Sequence, residues 1–248
     1  FKDKEVNQLL WEKLPVTISL GLWSTFLIYL IAIPLGIKKA KKNGLLFDQS
    51  TSLFLAVCYA IPSFVFAIVL IVFFAGGSYW QWFPLQGLVS ENFAELSFFS
   101  QVKDYLWHMC LPILSMVLGG FATLTYLTKY SFVDELSKPY VLTAKSKGLT
   151  DVQVLYGHVF RNAILIVVAA LPEAVIGIFF VGNLFIEIIF NLDGIGLLGF
   201  EAISQRDYPV IFGTLFIFTL FGLILRLIGD LLYQWIDPRI DFQARGGK

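Results

Sequence analysis

Four ionisable side chains lie inside long apolar stretches of the sequence, and three of them, Glu173, Arg226 and Asp230, could act on a charged solute. Glu173 lies nine residues into the stretch 164–190, which is about 13 Å along a helix. Arg226 and Asp230 lie four residues apart in the stretch 210–235, so a helix can place them as a pair on one face. Because a charge in hydrocarbon is costly, such groups usually face protein or water. For Glu173 the pattern favours a structural role over lining a transport pathway, and for Arg226 and Asp230 it favours a structural or gating pair over direct contact with a solute.

Other reactive side chains are isolated in the sequence. The two cysteines, Cys58 and Cys110, are too few for a disulfide scaffold or a metal cluster, and neither His108 nor His158 has a partner at metal-ligand spacing. The sequence contains no glycine-rich phosphate loop, no GxSxG motif and no HExxH motif. We therefore expect this chain not to be an enzyme and to hold no metal or cofactor of its own.

Composition narrows the classes of protein further. Of 248 residues, 57% are hydrophobic and 15% are charged, against about 25% charged in a typical soluble domain. Lys and Arg equal Asp and Glu at 18 each, so the chain lacks the bulk basic charge of a nucleic-acid-binding protein. The 25 Phe, 10 Tyr and 6 Trp residues exclude a disordered chain. These proportions favour a membrane protein with no nucleic-acid partner.

Five apolar stretches are each long enough to cross a bilayer, which takes roughly 20 residues of helix. None carries the charged face of a surface helix, so a soluble helical core is disfavoured. The sequence predicts an all-α, polytopic transmembrane helix bundle whose transmembrane domain covers residues 14–237. The five predicted spans are residues 14–37, 53–75, 109–128, 164–190 and 210–235.

Basic residues determine the predicted orientation. Residues 38–42 carry four lysines, residues 129–162 carry five basic side chains and the tail 238–248 carries three, whereas the other two loops carry one each. By the positive-inside rule these basic segments face the cytoplasm, and the loop 76–105 and the N-terminal remnant 1–13 lie outside. An external N-terminus requires an earlier span or a cleaved signal, so we expect a sixth helix upstream in the full chain.

The internal segment 129–162 is predicted to form a helix–glycine–helix element. One short helix ends at Gly148, because glycine commonly terminates helices. A second helix can be capped by Thr150 or Asp151 and continues to Arg161. A hairpin on the membrane surface and a docking element for a cytoplasmic partner both fit this pattern.

The external loop 76–105 is rich in Trp, Tyr and Phe. Such residues usually form an aromatic belt at the membrane interface, and a surface that receives a partner or ligand is the alternative. On the same side, Glu187 falls near the external end of the fourth span, where we expect water to reach it.

The segment around Gly148 resembles the cytoplasmic EAA loop of bacterial ABC importer permeases. In that family the pattern is Glu-Ala-Ala, three residues, Gly, nine residues and then Ile-x-Leu-Pro. Ala144 and Gly148 match this pattern, whereas its Glu, Ile and Pro are absent. Residues 140–149, with Thr-Ala before the glycine, and residues 158–162, with His-x-x-Arg-Asn, are instead similar to the oligopeptide and dipeptide permease branch.

Further stretches resemble the same branch, so that the likeness covers essentially all 248 residues in order. The external segment 76–88 is similar to that of the Yej-type B subunit, a permease associated with oligopeptides and microcin C. In this family the B-type subunit has six helices. The other matching stretches are residues 14–17, 33–36, 187–196, 206–209 and 230–239.

The resemblance implies a set of partners for a subunit that does not itself hydrolyse ATP. A second, C-type permease, ATPase subunits that bind ATP and Mg²⁺, and an external peptide-binding protein would join this chain in the lipid bilayer of the bacterial inner membrane. The assembly would import oligopeptides or peptide-like antibiotics of the microcin C type by alternating access. The resemblance assigns coupling with the ATPase to Tyr140, Thr143, Ala144, Lys145, Lys147, Gly148, Leu149, Asp151, His158, Arg161 and Asn162.

Two other classes of membrane protein remain as alternatives. A channel or secondary transporter would need no ATPase, but the sequence contains no inverted repeat and no selectivity-filter motif. A membrane-embedded enzyme would need a metal site or a nucleophile–base cluster near the interface. Dependence on a cytoplasmic ATPase separates both classes from an ABC permease.

Overall fold

Helices form all the regular structure in residues 5–77, 79–180 and 183–236, which are the residues that this computed structural model describes. The predicted tail 238–248 and residues 1–4 of the N-terminal remnant lie outside them. The α-helices are α1 (Val6–Lys41), α2 (Leu46–Ala60), α3 (Ser63–Phe74), α4 (Phe98–Leu136), α5 (Pro139–Ser146), α6 (Asp151–Val154), α7 (Phe160–Ala169), α8 (Leu171–Phe180), α9 (Asn183–Ile189), α10 (Ile195–Gln205) and α11 (Tyr208–Ile236).

The two longest helices, α1 with 36 residues and α4 with 39, form the centre of the bundle. Small residues let their backbones approach closely. A Cβ on Gly36 would lie 2.6 Å from Thr128 Cβ, and a Cβ on Gly120 would lie 2.8 Å from Ile28 Cδ1. Close contacts through small residues are typical of helix packing in membranes, where the lipid offers no hydrophobic driving force between helices.

Four helical segments among the described residues are long and apolar enough to cross a membrane. They overlap four of the predicted spans, and the segments over 14–37 and 109–128 extend beyond the prediction at both ends, so the predicted all-α membrane fold is confirmed. Residues 129–136, which we placed in the internal segment, belong to α4. The four segments are Val6–Lys41, Phe98–Leu136, Asp151–Ala174 and Tyr208–Leu231.

The remaining predicted span, 53–75, is bent by 94° between α2 and α3. Ile61 is extended, with φ −95° and ψ 120°, because the residue before a proline avoids the helical region. Pro62 has no N–H to continue the hydrogen-bond ladder. Helices α2 and α3 count as a fifth span only if they are taken together as one bent segment.

The predicted span 164–190 comprises α7, α8 and α9, with residues 181–182 outside the described ranges. A π-helical segment, Leu155–Val159, joins α6 directly to α7. The second short helix of the internal segment is therefore the beginning of a transmembrane helix rather than a separate piece.

Candidate functional site

The α5–α6 hairpin, residues 139–154, is shaped by a glycine turn. Gly148 has φ +85°, its N–H donates to the Lys145 carbonyl at 2.9 Å, and the Leu149 N–H donates to the Ala144 carbonyl at 3.4 Å. These two bonds close a helix ahead of a left-handed residue, as predicted for this position. A Cβ at Gly148 would meet nothing within 4 Å, so within this chain glycine is needed for its backbone conformation and not for space.

The second helix of the hairpin starts with a capping box. The Thr150 N–H donates to Gln153 Oε1 at 2.9 Å, and the Gln153 N–H donates to Thr150 Oγ1 at 3.4 Å. Thr150 is therefore the cap, of the two that the sequence allowed. Lys145 Nζ pairs with Asp151 Oδ1 at 2.8 Å across the turn. Because both side chains are exposed, this ion pair adds little stability and leaves its charges at the surface.

Glu135, at the end of α4, connects the hairpin to the long helices. Its Oε1 accepts hydrogen bonds from the Tyr140 hydroxyl at 2.8 Å and from the Asn162 amide at 3.1 Å, and its Oε2 forms an ion pair with Lys138. Burial, together with the bond to Glu135, raises the pKa of Tyr140, and the same carboxylate raises the pKa of Lys138. One buried carboxylate therefore joins α4, α5 and α7.

Sequence reasoning selected Tyr140 and Asn162 but missed Glu135, the residue that joins them. The local signal was the spacing of Glu135 and Lys138, three residues apart at the end of a helix. The contact with Asn162 spans 27 residues and leaves no trace in the local sequence.

The two faces of the hairpin differ in polarity and exposure. Val141 and Ala144 are buried in an apolar cluster with residues from the ends of α1 and α4. Leu142 and Val152 in the hairpin, and Tyr156 just after it, instead expose 67%, 57% and 60% of their surface. Exposed apolar side chains beside charges are typical of a surface that binds another protein. The other predicted coupling residues that are exposed at this end are Thr143, Lys147, Gly148, His158, Arg161 and Asn162.

The three residues predicted for the pathway line one cleft between α8 and α11. The cleft has a volume of about 590 Å³ and is lined by Glu173, Arg226 and Asp230, with Pro172 and Gly229 beside them. A Cβ on Gly229 would lie 2.5 Å from Pro172 Cβ, so the two helices are in close contact there. The structure does not pair Arg226 with Asp230 as predicted, since no ion pair joins them among the described residues. A base that precedes the acid is the weaker order for such a helical pair.

Glu187 contradicts the expectation that water reaches it. Its side chain is fully buried, at 0% exposure. The Thr17 hydroxyl donates to Glu187 Oε1 and the Leu197 N–H donates to Oε2, both at 2.9 Å, while Thr17 Oγ1 accepts from the Ile195 N–H. A Cβ on Gly194 would lie 2.3 Å from the carboxylate, so this glycine provides the space for it. These five residues, the Glu187 cluster, join α1, α9 and the start of α10.

A second buried polar cluster lies where α1, α2 and α4 meet. The Asp48 carboxylate is 3.0 Å from Lys39 Nζ and 2.8 Å from Lys129 Nζ, and all three residues are buried. Lys39 also donates to the hydroxyls of Thr51 and Ser52, at 2.7 and 2.8 Å. Sequence reasoning counted Lys39 and Lys129 only as basic charges of the loops. They are buried because Asp48 and the hydroxyl groups replace their hydration.

Residues 32–242 match the family model described as "Binding-protein-dependent transport system inner membrane component". This chain belongs to that family. A member of it is a multi-pass subunit of the inner membrane and not an ATPase, so the expectation that the chain is not itself an enzyme is confirmed. A transport system of this kind also requires an ATPase and a substrate-binding protein.

Sequence relatives of this binding-protein-dependent transport component agree with the assignment. The inner membrane ABC transporter permease protein YejB of Escherichia coli O157:H7 is 56% identical over 245 residues, which cover 99% of this chain and 67% of that protein. The oligopeptide transport system permease protein AppB of Bacillus subtilis (strain 168) is 34% identical over 241 residues, covering 97% of this chain and 74% of that protein. The resemblance to peptide permeases, and to the Yej type among them, is confirmed.

A solved structure shows the same fold. The inward-facing MetNI methionine ABC transporter has a chain that matches this family member with a TM-score of 0.69 at 14% identity, covering 93% of this chain and 97% of that chain. At this identity the likeness supports the helix arrangement alone.

Proposed function

We propose that this chain is the B-type permease subunit of an ATP-driven importer that carries oligopeptides, or peptide-like antibiotics of the microcin C type, across the bacterial inner membrane by alternating access. Its relatives at 56% and 34% identity are an ABC transporter permease and an oligopeptide permease. The observation that carries the proposal is the α5–α6 hairpin, anchored to the long helices by Glu135 and exposing apolar side chains on its outer face.

The assembly that we propose contains a second, C-type permease, ATPase subunits that hold ATP and Mg²⁺, and an external peptide-binding protein. In the orientation that the basic residues favour, the hairpin and the C-terminus face the cytoplasm and the N-terminus of this chain faces outward. The hairpin then lies on the side where ATP is available.

Coupling would pass through the hairpin as a mechanical contact. Leu142, Val152 and Tyr156 would enter a groove on the ATPase, with the Lys145–Asp151 pair at its rim. Since a π-helical segment joins α6 to α7 without a loop, a displacement of α6 reaches the transmembrane helix directly. ATP binding and hydrolysis would shift the populations of inward-facing and outward-facing bundles through this connection.

Gly148→Asn tests this contact without a large cost to the fold. Asn enters the left-handed region more readily than other side chains, and nothing in this chain lies within 4 Å of the new Cβ. We expect the assembled full-length permease to lose most of its co-purifying ATPase and its ATP-dependent peptide uptake in proteoliposomes. Gly44→Asn is the matched control, because Gly44 has φ +78° and equally open surroundings in the α1–α2 turn.

Three outcomes of this experiment are informative. Loss of ATPase and uptake in Gly148→Asn with retention in Gly44→Asn supports coupling through the hairpin. Equal behaviour of the two variants contradicts it. A wild-type protein that moves solute with no ATPase present would instead favour a channel or secondary transporter.

A further inference from the structure

The cleft between α8 and α11 combines charge, small side chains and an open mouth at the depth of a membrane span. Two carboxylates, Glu173 and Asp230, and one guanidinium, Arg226, line the same space of about 590 Å³. This volume lies within the range of about 300–1,000 Å³ that is typical of sites for small molecules. The cleft is thus large enough for a short peptide.

The charges in the cleft are not neutralised by any residue that the structure describes. All three side chains are exposed, and none forms an ion pair or hydrogen bond with another described residue. The Glu187 cluster and the buried group of Asp48, Lys39 and Lys129 show the opposite arrangement, in which each buried charge has partners within 3.0 Å. Because charges at membrane depth are costly without water or a counter-charge, groups held open around a cleft are suited to a charged ligand that comes and goes.

We propose that this cleft holds the two charged ends of a zwitterionic peptide. Arg226 binds the terminal carboxylate, for which its planar fork of donors is suited, and Glu173 and Asp230 bind the terminal ammonium group. This peptide site rests on the proposed function, and it places a step of substrate binding within the membrane-spanning helices.

The remaining lining residues fit a peptide backbone. Ala169 and Gly222 have little or no side chain, so an extended ligand can approach the helices closely. Thr219 donates its hydroxyl to the Leu215 carbonyl, which leaves its oxygen free to accept from a peptide N–H. Recognition of termini and backbone, with no deep side-chain pocket, suits a carrier of peptides of varied sequence.

The test pairs variants with modified peptides, using the assembled complex purified without its binding protein. Equilibrium binding is measured for radiolabelled tri-alanine, its C-terminal amide and its N-acetyl form. We expect Arg226→Gln to raise the Kd for tri-alanine about tenfold or more and to leave the Kd for the amide nearly unchanged, because the charge-assisted bond is lost only when a carboxylate is present. The double variant Glu173→Gln, Asp230→Asn should likewise raise the Kd for tri-alanine about tenfold or more and leave the Kd for the N-acetyl form nearly unchanged.

Lys103→Gln is the matched control, since it removes an exposed cation near the start of α4 and from no part of the cleft. A loss of affinity that is equal for tri-alanine and its amide would overturn the proposal, and so would an Arg226→Gln complex that no longer retains the second permease. Uptake of tri-alanine by the wild-type complex, measured with the binding protein restored, distinguishes failure of the proposed peptide site from failure of the proposed transport function. Uptake without these differences in Kd overturns the cleft assignment alone, whereas absence of ATP-dependent uptake overturns the proposed function.

Discussion

Glu173 and Glu187 lie fourteen residues apart in one apolar stretch, yet the structure gives them opposite surroundings. Glu173 is exposed on an open cleft, whereas Glu187 is fully buried and accepts hydrogen bonds from Thr17 and Leu197. Sequence position along a span suggested the reverse, with water at Glu187. Distance along a helix therefore says little about burial, which depends on the hydrogen-bond donors that other helices contribute.

The comparison separates two uses of a charge in a membrane bundle. A carboxylate enclosed by donors fixes helices relative to one another, as Glu187, Asp48 and Glu135 do. A carboxylate left open contributes little to the fold and stays available to a ligand. Substitutions at the enclosed group should therefore reduce stability, and those at the open group should change transport.

Asp48→Asn should have the largest effect on stability. It leaves the ammonium groups of Lys39 and Lys129 buried without a counter-charge, and breaking such a cluster costs about 3–5 kcal/mol. The measurement is the melting temperature of the detergent-purified protein. Lys129→Met is the control, because it keeps the Lys39–Asp48 pair and should cost less. A variant as stable as wild type would show that Asp48 does not act as an enclosed charge.

Glu187→Ala tests the comparison directly against Glu173→Ala. Removing Glu187 leaves the Leu197 N–H and the Thr17 hydroxyl without their acceptor, at a cost of about 2–3 kcal/mol. Glu173→Ala should change the free energy of unfolding by less than about 0.5 kcal/mol, because its side chain is exposed. Thermal melting of both variants in one detergent provides the measurement. Equal shifts in the melting temperatures of the two variants would contradict the distinction between the enclosed Glu187 and the open Glu173.

Gly194→Ala tests whether the enclosed state of Glu187 depends on the space beside it, because the new methyl group would fill that space. The new Cβ would lie 2.3 Å from the carboxylate, and the resulting shift should cost about 1–3 kcal/mol. Gly199→Ala, in α10, meets nothing within 4 Å and should stabilise the helix slightly. The difference between their melting temperatures is the readout. A negligible difference would mean that Gly194 does not constrain the Glu187 cluster.

Tyr140→Phe, which changes the surroundings of Glu135, should reduce stability least among these variants of the enclosed carboxylates. It removes one of the hydrogen bonds to Glu135 and keeps those from Lys138 and Asn162, so we expect a loss of about 1 kcal/mol. Uptake assays of the assembled complex, alongside melting, show whether this loss reaches the hairpin. A larger loss of uptake than of stability would indicate that the position of α5 matters for coupling.

Much of the fold was accessible from the sequence because its signals are local. Long apolar stretches predicted the helices, Gly148 marked the end of α5, and Thr150 was one of two candidate caps. The 94° bend also has a local signal, because Pro62 lies at the break between α2 and α3. Glu173, Arg226 and Asp230, which the sequence singled out one by one, line the same cleft, and their role in a pathway or gate stays a prediction.

What the sequence could not provide were the contacts between distant helices. Lys39 and Lys129 look like loop lysines until Asp48 is placed between them, and Asp48 is 81 residues from Lys129. Glu135 gains its importance from Asn162, and Glu187 from Thr17. Such pairs leave no periodic pattern, since a hydrogen bond between helices requires only one suitable residue on each.

The bond between Thr17 and Glu187 has a consequence for biosynthesis. Its partners are separated by 170 residues, so at about 5–20 residues per second roughly 10–30 s pass between the synthesis of the two. During that interval the Thr17 hydroxyl can be satisfied by its own helix backbone or by water. The Glu187 cluster cannot close before residue 197 has been made, so its closure waits until α1, α2, α3 and α4 have all been synthesised.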